Sequence, residues 1–179
     1  MPDVKEMTDR DLVLLAQQGR VDGFTELAAR YYPALLAIAQ SVLADKHLAE
    51  DAAQESLAKA CSSLRGLRDP DRFGCWLARI CRHTSVSLLR GRANLSYVEE
   101  LPERPTHDEQ DDEQDLDLVR EVVRGLPSTY REVIYLRYYD GMTYERISAV
   151  LGLSVQALNG RLRRAKDLIR SQLKGKSPL

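Results

Sequence analysis

Gln156 and Asn159 stand three positions apart, and Arg161, Arg163, Arg164 and Lys166 follow closely behind them. On a helix that spacing puts both amides on one face, with cations further along. Carboxamides pair bidentately with adenine, and arginine and lysine grip phosphates, so the chemistry on offer is base reading backed by salt-dependent backbone contact. The residues in front supply what such a helix needs. Thr143 is suited to cap a short helix, although Arg146 stands where a two-sided capping box needs an acid or amide. Ile147 and Leu151 face inward, Ser148 is small, and Gly152 sits where a sharp turn asks for positive φ. Leu153 plugs the corner, Ser154 caps the second helix, and Leu158 and Leu162 tie it to the first. This is the helix-turn-helix arrangement, in which the start of the second helix meets base edges. The alternative is a cationic surface helix of some other three-helix bundle.

A second constellation lies between Arg65 and Arg92, where seven arginines (65, 68, 72, 79, 82, 90 and 92) face only Asp69 and Asp71. The stretch Arg65-Gly-Leu-Arg-Asp-Pro-Asp-Arg-Phe73 is a turn-rich loop, broken by Gly66, Asp69 and Pro70, that leads into a helix from Phe73 to Leu89. Arginines interleaved with Phe73 and Trp76 fit a surface that tracks phosphates and offers stacking to an unpaired base. Against that, a large aromatic at helical spacing usually packs inward. A third feature is the polar face of the helix His47 to Leu64, made of Glu50, Asp51, Gln54, Glu55 and Lys59 opposite Leu48, Ala52, Leu57 and Ala60. It reads as a docking face or as a solvated surface, and periodicity does not separate the two.

These groups need helices to hold them. Hydrophobic residues make up 44% of the 179 and aromatics 6%, with Ala, Leu, Arg and Glu plentiful, a balance that favours helix over strand. Asp9 is placed to cap a helix ending at Gly19; a second runs from Asp22, and Pro33 suits the first turn of a third. Asp45 opens the helix that carries the polar face. Further on, a helix from about Asp112 to Arg124 stops at Gly125-Leu-Pro127, and Ser128 caps the next, which ends at Asp140-Gly141.

Charge divides the chain more sharply than the net −1 suggests. Residues 1 to 90 balance twelve bases against twelve acids, residues 91 to 117 carry two against ten, and residues 118 to 179 carry twelve against five. With Pro102 and Pro105 and no apolar periodicity, the acidic stretch reads as an extended linker. The expected organisation is all-α: a helical domain at 1–92, an acidic linker at 93–115 and a second helical domain at 116–179. The linker's acidity serves solubility, or it mimics nucleic acid inside a partner's basic channel.

Several classes fall away. No apolar run is long enough to span a membrane and Met1 to Arg20 is charged, so the expectation is a cytoplasmic protein without membrane insertion. Cys61, Cys75 and Cys81 include no CxxC pair, which points to packed structural thiols and to no metal or other cofactor. There is no phosphate-cradling glycine loop and no nucleophile with a base, and His47, His83 and His107 are scattered, so an enzyme is not expected.

Both halves resemble the extracytoplasmic-function (ECF) group of sigma-70 factors. The N-terminal half is similar to its region 2 through Phe24 to Tyr32-Pro33, Ala49-Glu-Asp-Ala-Ala-Gln-Glu55, and Phe73 to Arg92 with Trp76-Leu77 and Ile80. The C-terminal half is similar to region 4 through Leu126-Pro127, Arg131-Glu132-Val133, Leu136-Arg137-Tyr138, Gly141-Met-Thr-Tyr-Glu145, Ile147, Leu151-Gly-Leu-Ser-Val155 and Arg161-Leu162. The resemblance implies a promoter-specificity factor for core RNA polymerase. It puts Glu50, Asp51, Gln54 and Glu55 on the clamp helices of the largest subunit, and the polymerase flap is a further expected contact. Arg65, Arg68, Arg72, Phe73, Trp76, Arg79, Arg82 and His83 would meet the minus-10 element, the loop capturing a flipped base and the helix the melted strand. Thr143, Ser154, Val155, Gln156, Ala157, Asn159, Gly160, Arg161, Arg163 and Arg164 would meet the minus-35 element. An anti-sigma factor is a common partner in this group.

The chain also departs from the pattern. His83 and Ser87 stand where the group usually has Asn and Asp, and Asn159 and Gly160 where it often has Lys and Ser, so promoter preference does not carry over. The competing reading, a helix-turn-helix activator of the response-regulator type, explains residues 118 to 179 but not the N-terminal match.

Overall fold

The computed structural model describes residues 3–43, 45–95 and 112–176, helices joined by turns and short irregular connections with no strand among them. Eight helices lie in this part: α1 (Asp9–Gln17), α2 (Val21–Leu43), α3 (Lys46–Ser63), α4 (Phe73–Leu95), α5 (Asp112–Arg124), α6 (Ser128–Ile134), α7 (Tyr144–Leu151) and α8 (Val155–Lys176). Side-chain caps begin α1, α3, α7 and α8. The Asp45 carboxylate accepts from the Leu48 amide at 3.1 Å, Thr143 Oγ1 from Arg146 at 3.3 Å, and Ser154 Oγ from Ala157 at 3.1 Å.

Three starts differ from the sequence expectation. Thr8, not Asp9, caps α1, its Oγ1 accepting from the Asp11 amide at 3.2 Å, which leaves the Asp9 carboxylate for tertiary contacts. Pro127 occupies the cap position of α6 with no side-chain cap, so Ser128 is already inside. Pro33 opens no third helix; it lies within the single α2. An interior proline costs about 3 kcal/mol. Leu27 and Tyr31 before it and Ala34, Leu35 and Ile38 after it are all buried, and each large apolar side chain returns about 1.5–3 kcal/mol. Burial on both sides of the proline outweighs the lost bond.

The α1–α4 unit packs α2 against α3 and α4, with α1 across α2. Gly74 marks a close approach, since a Cβ there would sit 3.0 Å from the Tyr31 ring. In the α5–α8 unit, α8 lies against α5, α6 and α7. A π turn, Tyr135–Tyr139, continues α6, with the Asp140 amide donating to the Tyr135 carbonyl at 3.1 Å. The turn between α7 and α8 is made by Gly152 at φ +67°, where the Leu153 amide donates back to Ser148 at 3.1 Å.

The two units touch. α7 packs on α4, and α6 with its π turn packs on α2. The Arg146 guanidinium donates to Asp9 at 3.0 Å and to the Tyr31 hydroxyl at 3.3 Å, and lies 4.0 Å from the Tyr31 ring centre. Arg82 donates to Glu132 at 2.7 Å, and the Cys75 thiol to the Ala149 carbonyl at 2.9 Å. Helix α4 runs to Leu95 and α5 starts at Asp112, so both enter the stretch expected as linker. Residues 96–111, the rest of that expected linker, lie outside the described residues.

Candidate nucleic-acid interface

Helix α8 separates its residues by face. Leu158, Leu162 and Ala165 are buried at 0–3% exposure, which turns Val155, Gln156, Ala157, Asn159, Arg163 and Arg164 to solvent, with Gly160 and Arg161 half-buried. Thr143 and Ser154 are exposed and spend their hydroxyls as caps. Beside this face runs a cleft of about 250 Å³ lined by Tyr144, Asn159, Leu162, Arg163, Lys166 and Arg170. Tyr144 and Arg170 were not anticipated; they reach the cleft from α7 and the next turns of α8. A Cβ on Gly160 would meet nothing within 4 Å, so no packing within the chain requires that glycine.

The arginine loop is two 3₁₀ turns, Leu64–Gly66 and Pro70–Arg72, the second capped by Asp69. Helix α1 braces it. Gln17 Nε2 donates to the Leu64 and Leu67 carbonyls at 3.0 and 2.9 Å, and Arg10 pairs with Asp71. Arg65, Arg68 and Arg72 are exposed. Phe73 is not. At 1% exposure it packs edge-on against Tyr31 with ring centres 5.2 Å apart and tilts against Trp76 at 5.9 Å. It therefore supports the loop from beneath instead of facing a captured base. Trp76 is half-buried, and with Arg79 and His83 it lines a groove of about 400 Å³ between α3 and α4. Lys59, Ser63, Ile80, Thr84 and Ser87 complete that groove, and Lys59 Nζ reaches Thr84 Oγ1 at 3.2 Å. Arg82 points elsewhere, to Glu132.

Helix α3 buries small residues, Ala49, Ala52, Ala53, Ser56 and Ala60. It leaves Asp51, Gln54 and Glu55 exposed and Glu50 half-buried, in one row. Glu55 pairs with Lys59 at 2.6 Å, and His47 is 3.9 Å from Glu50. The other ionisable cluster is Asp9 with its partners. Burial opposes its charge, but hydrogen bonds from Tyr31, Arg146 and Arg30 prevail and hold the carboxyl below its ordinary range. Burial, then the Asp9 carboxylate, pushes the Tyr31 phenol up. Of the cysteines, Cys81 is fully buried and burial lifts its thiol to about 11. Cys75 is half-buried. Cys61 is exposed, contrary to the expectation that all three thiols pack. Among the described residues no three His, Cys, Asp or Glu side chains gather as metal ligands, and no helix is long and apolar enough to cross a membrane.

Comparison with known proteins gives the family. Residues 27–94 match the model of Sigma-70 region 2, and residues 116–169 that of Sigma-70, region 4. The RNA polymerase sigma factor CnrH of Cupriavidus metallidurans is 34% identical over 177 residues, 90% of this chain and 92% of that protein. The sigma factor SigV of Bacillus subtilis is 31% identical over 137 residues, 76% of this chain and 82% of that one. Among solved structures, CnrH in complex with the cytosolic domain of CnrY superposes with a TM-score of 0.64 at 30% identity, over 98% of this chain and 100% of that one. The sigma factor RpoE of Bartonella quintana, in complex with the anti-sigma factor NepR, does so at 0.57 and 26% identity, over 88% of this chain and 100% of that one. With α8 presenting amides and cations outward and both regions matched in order, the chain belongs to the ECF group of the sigma-70 family, the RNA polymerase sigma factors that direct transcription initiation at promoters.

Proposed function

We propose that this chain acts in the cytoplasm as a binding protein without chemistry of its own, holding core RNA polymerase with α3 and promoter DNA with two separate faces. The observation that carries the reading is the division of α8, whose apolar side is buried while Gln156, Asn159, Arg163 and Arg164 stand free. Gln156 and Asn159 read base edges of the minus-35 duplex from the major groove, and Arg161, Arg163 and Arg164 hold its phosphates. Arg65, Arg68 and Arg72 follow the backbone of the melted minus-10 strand, and an unpaired base enters the α3–α4 groove against Trp76, Arg79 and His83. Stacking and phosphate contact there offset the few kcal/mol that unstacking costs.

The row Glu50, Asp51, Gln54 and Glu55 docks on the clamp helices of the polymerase, and the 116–179 unit meets the flap. The units are assigned to 1–92 and 116–179, with the acidic connector between them. An anti-sigma factor, as in the Bartonella complex, is a further partner for these faces.

The test is RNA synthesis by purified core polymerase on templates with a pre-melted bubble. The wild-type chain is expected to start transcripts and to bind the single-stranded non-template segment. Asp51→Arg is expected to lose core binding while the full-length variant keeps its affinity for minus-35 duplex. Undiminished affinity of Asp51→Arg for core removes the assignment of α3.

A further inference from the structure

The groove between α3 and α4 is one-sided in its hydrogen-bonding chemistry. Lys59 enters it from α3, and Trp76, Arg79, Ile80 and His83 enter it from α4. No carboxylate or carboxamide side chain is among the described residues that line it. The Lys59 ammonium, the Arg79 guanidinium and the Trp76 indole N–H can only donate. Side-chain acceptance falls to hydroxyls and the His83 imidazole, and Thr84 Oγ1 already accepts from Lys59 at 3.2 Å. The ammonium is fixed a second time, since its Nζ lies 2.6 Å from Glu55 Oε1. An ammonium carries three donor hydrogens, so these two partners leave one for an occupant. Trp76 is held as well: its ring rests against Phe73 at 5.9 Å, and Phe73 against Tyr31 at 5.2 Å. A base stacked on that indole meets donors that are already in place.

We propose that this groove selects its unpaired base by the keto oxygen: it takes guanine first and thymine second, with Lys59 and Arg79 donating, and rejects adenine and cytosine. Guanine offers O6 and N7 as neighbouring acceptors, and thymine offers O4 beside a methyl group that suits the apolar wall at Ile80. Adenine and cytosine carry an amino group in place of that oxygen. Set against Lys59 and Arg79, an amino group leaves both cations desolvated without an acceptor. Lys59 is thereby a specificity-determining residue of strand binding, supplied by the same helix as the acidic row. The inference rests on the entry of an unpaired base into the groove, proposed above.

The test needs no knowledge of the promoter. Short single strands are made abasic except for one central guanine, thymine, adenine or cytosine, beside a wholly abasic control. Fluorescence anisotropy with the full chain at low salt, where phosphate contacts are strongest, gives the affinities. Guanine is expected to bind about tenfold and thymine about fivefold more tightly than the control, with adenine and cytosine within about twofold of it. Lys59→Met and Arg79→Met are each expected to lower the ratio of guanine to control affinity by about threefold or more. Cations that only hold phosphate would lower both affinities and leave that ratio where it was. His83→Asn brings a carboxamide into the groove and is expected to raise adenine affinity by about fivefold, because that group pairs with adenine.

Equal affinities for the four bases, all above the control, overturn the selection and leave base entry standing. Adenine or cytosine bound more tightly than guanine overturns it as well. A ratio unmoved by both Lys59→Met and Arg79→Met, with circular dichroism showing both folded, overturns the assigned donors. Affinities no better than the control for any base, or no binding of any strand, show that the proposed function of this groove has failed and the selection with it.

Discussion

Replacing Phe73 separates two roles that a sequence cannot distinguish. Its ring is 1% exposed and touches Tyr31 and Trp76, so Phe73→Ala empties a packed site and is expected to cost about 3–5 kcal/mol. In a chain of this size that lowers Tm by roughly 6–20 °C, a large share of a typical 5–15 kcal/mol stability. Phe73→Leu keeps most of the volume and is expected to lose less than about 2 kcal/mol, chiefly the edge-on ring contacts. Thermal melts followed by circular dichroism give the stability. Fluorescence anisotropy with a single-stranded minus-10 oligonucleotide, well below the melting range, gives the function. The expected pattern is a falling Tm with affinity of the Leu variant within about twofold. A stacking role predicts the reverse, since losing a base–aromatic stack weakens binding by about 1–3 kcal/mol, or roughly 5- to 150-fold. An unchanged Tm together with a tenfold weaker Phe73→Leu would refute the packing argument.

Three further expectations concern single groups. Gln156→Ala should cost about 1–3 kcal/mol on the preferred minus-35 duplex and little on a scrambled one, whereas Arg163→Ala should weaken both alike and flatten the salt slope by about one; equal loss on both duplexes for Gln156 would count against base reading. Gly160→Ala should raise stability by about 1 kcal/mol, because the helix gains and no neighbour is crowded, and should weaken duplex binding if DNA approaches that backbone; unchanged affinity removes that idea. The lowered Asp9 carboxyl gives a pH signature. Its contribution is complete above the ordinary value of 3.8 and is lost as pH falls through the lower folded value. The stability gap between wild type and Asp9→Asn should therefore be flat above about pH 4 and shrink below it, and a gap that does not shrink on acidification would show that Asp9 is not held by its cationic partners.

Much of the fold was legible because local signals decide it. Asp45, Thr143 and Ser154 cap where their residue types and spacing say, and Gly152 takes the positive φ that only its lack of a Cβ makes easy. What failed locally failed for tertiary reasons. Pro33 reads as a helix start until the burial of Leu27, Tyr31, Leu35 and Ile38 around one core is known. Asp9 reads as a cap until Arg30, Tyr31 and Arg146 converge on it from 21, 22 and 137 residues away.

The candidate interface was half legible. Exposure of Gln156, Asn159 and the loop arginines followed from periodicity, whereas the burial of Phe73, the entry of Lys59 and Thr84 into the groove, and the capture of Arg82 by Glu132 depend on helix crossings that no single-chain pattern encodes. Cys61 looked like the other thiols because a cysteine among alanines on α3 suits either face.

Helix α1 lies wholly before residue 27, where the region 2 match begins, yet Gln17 and Arg10 are what fasten the arginine loop. A fragment trimmed to the matched segment would keep every assigned contact residue and lose the brace that shapes the loop. Expression boundaries for this unit should be drawn at Asp3 or earlier, and weak strand binding by a shorter piece would report on its trimming before it reported on its arginines.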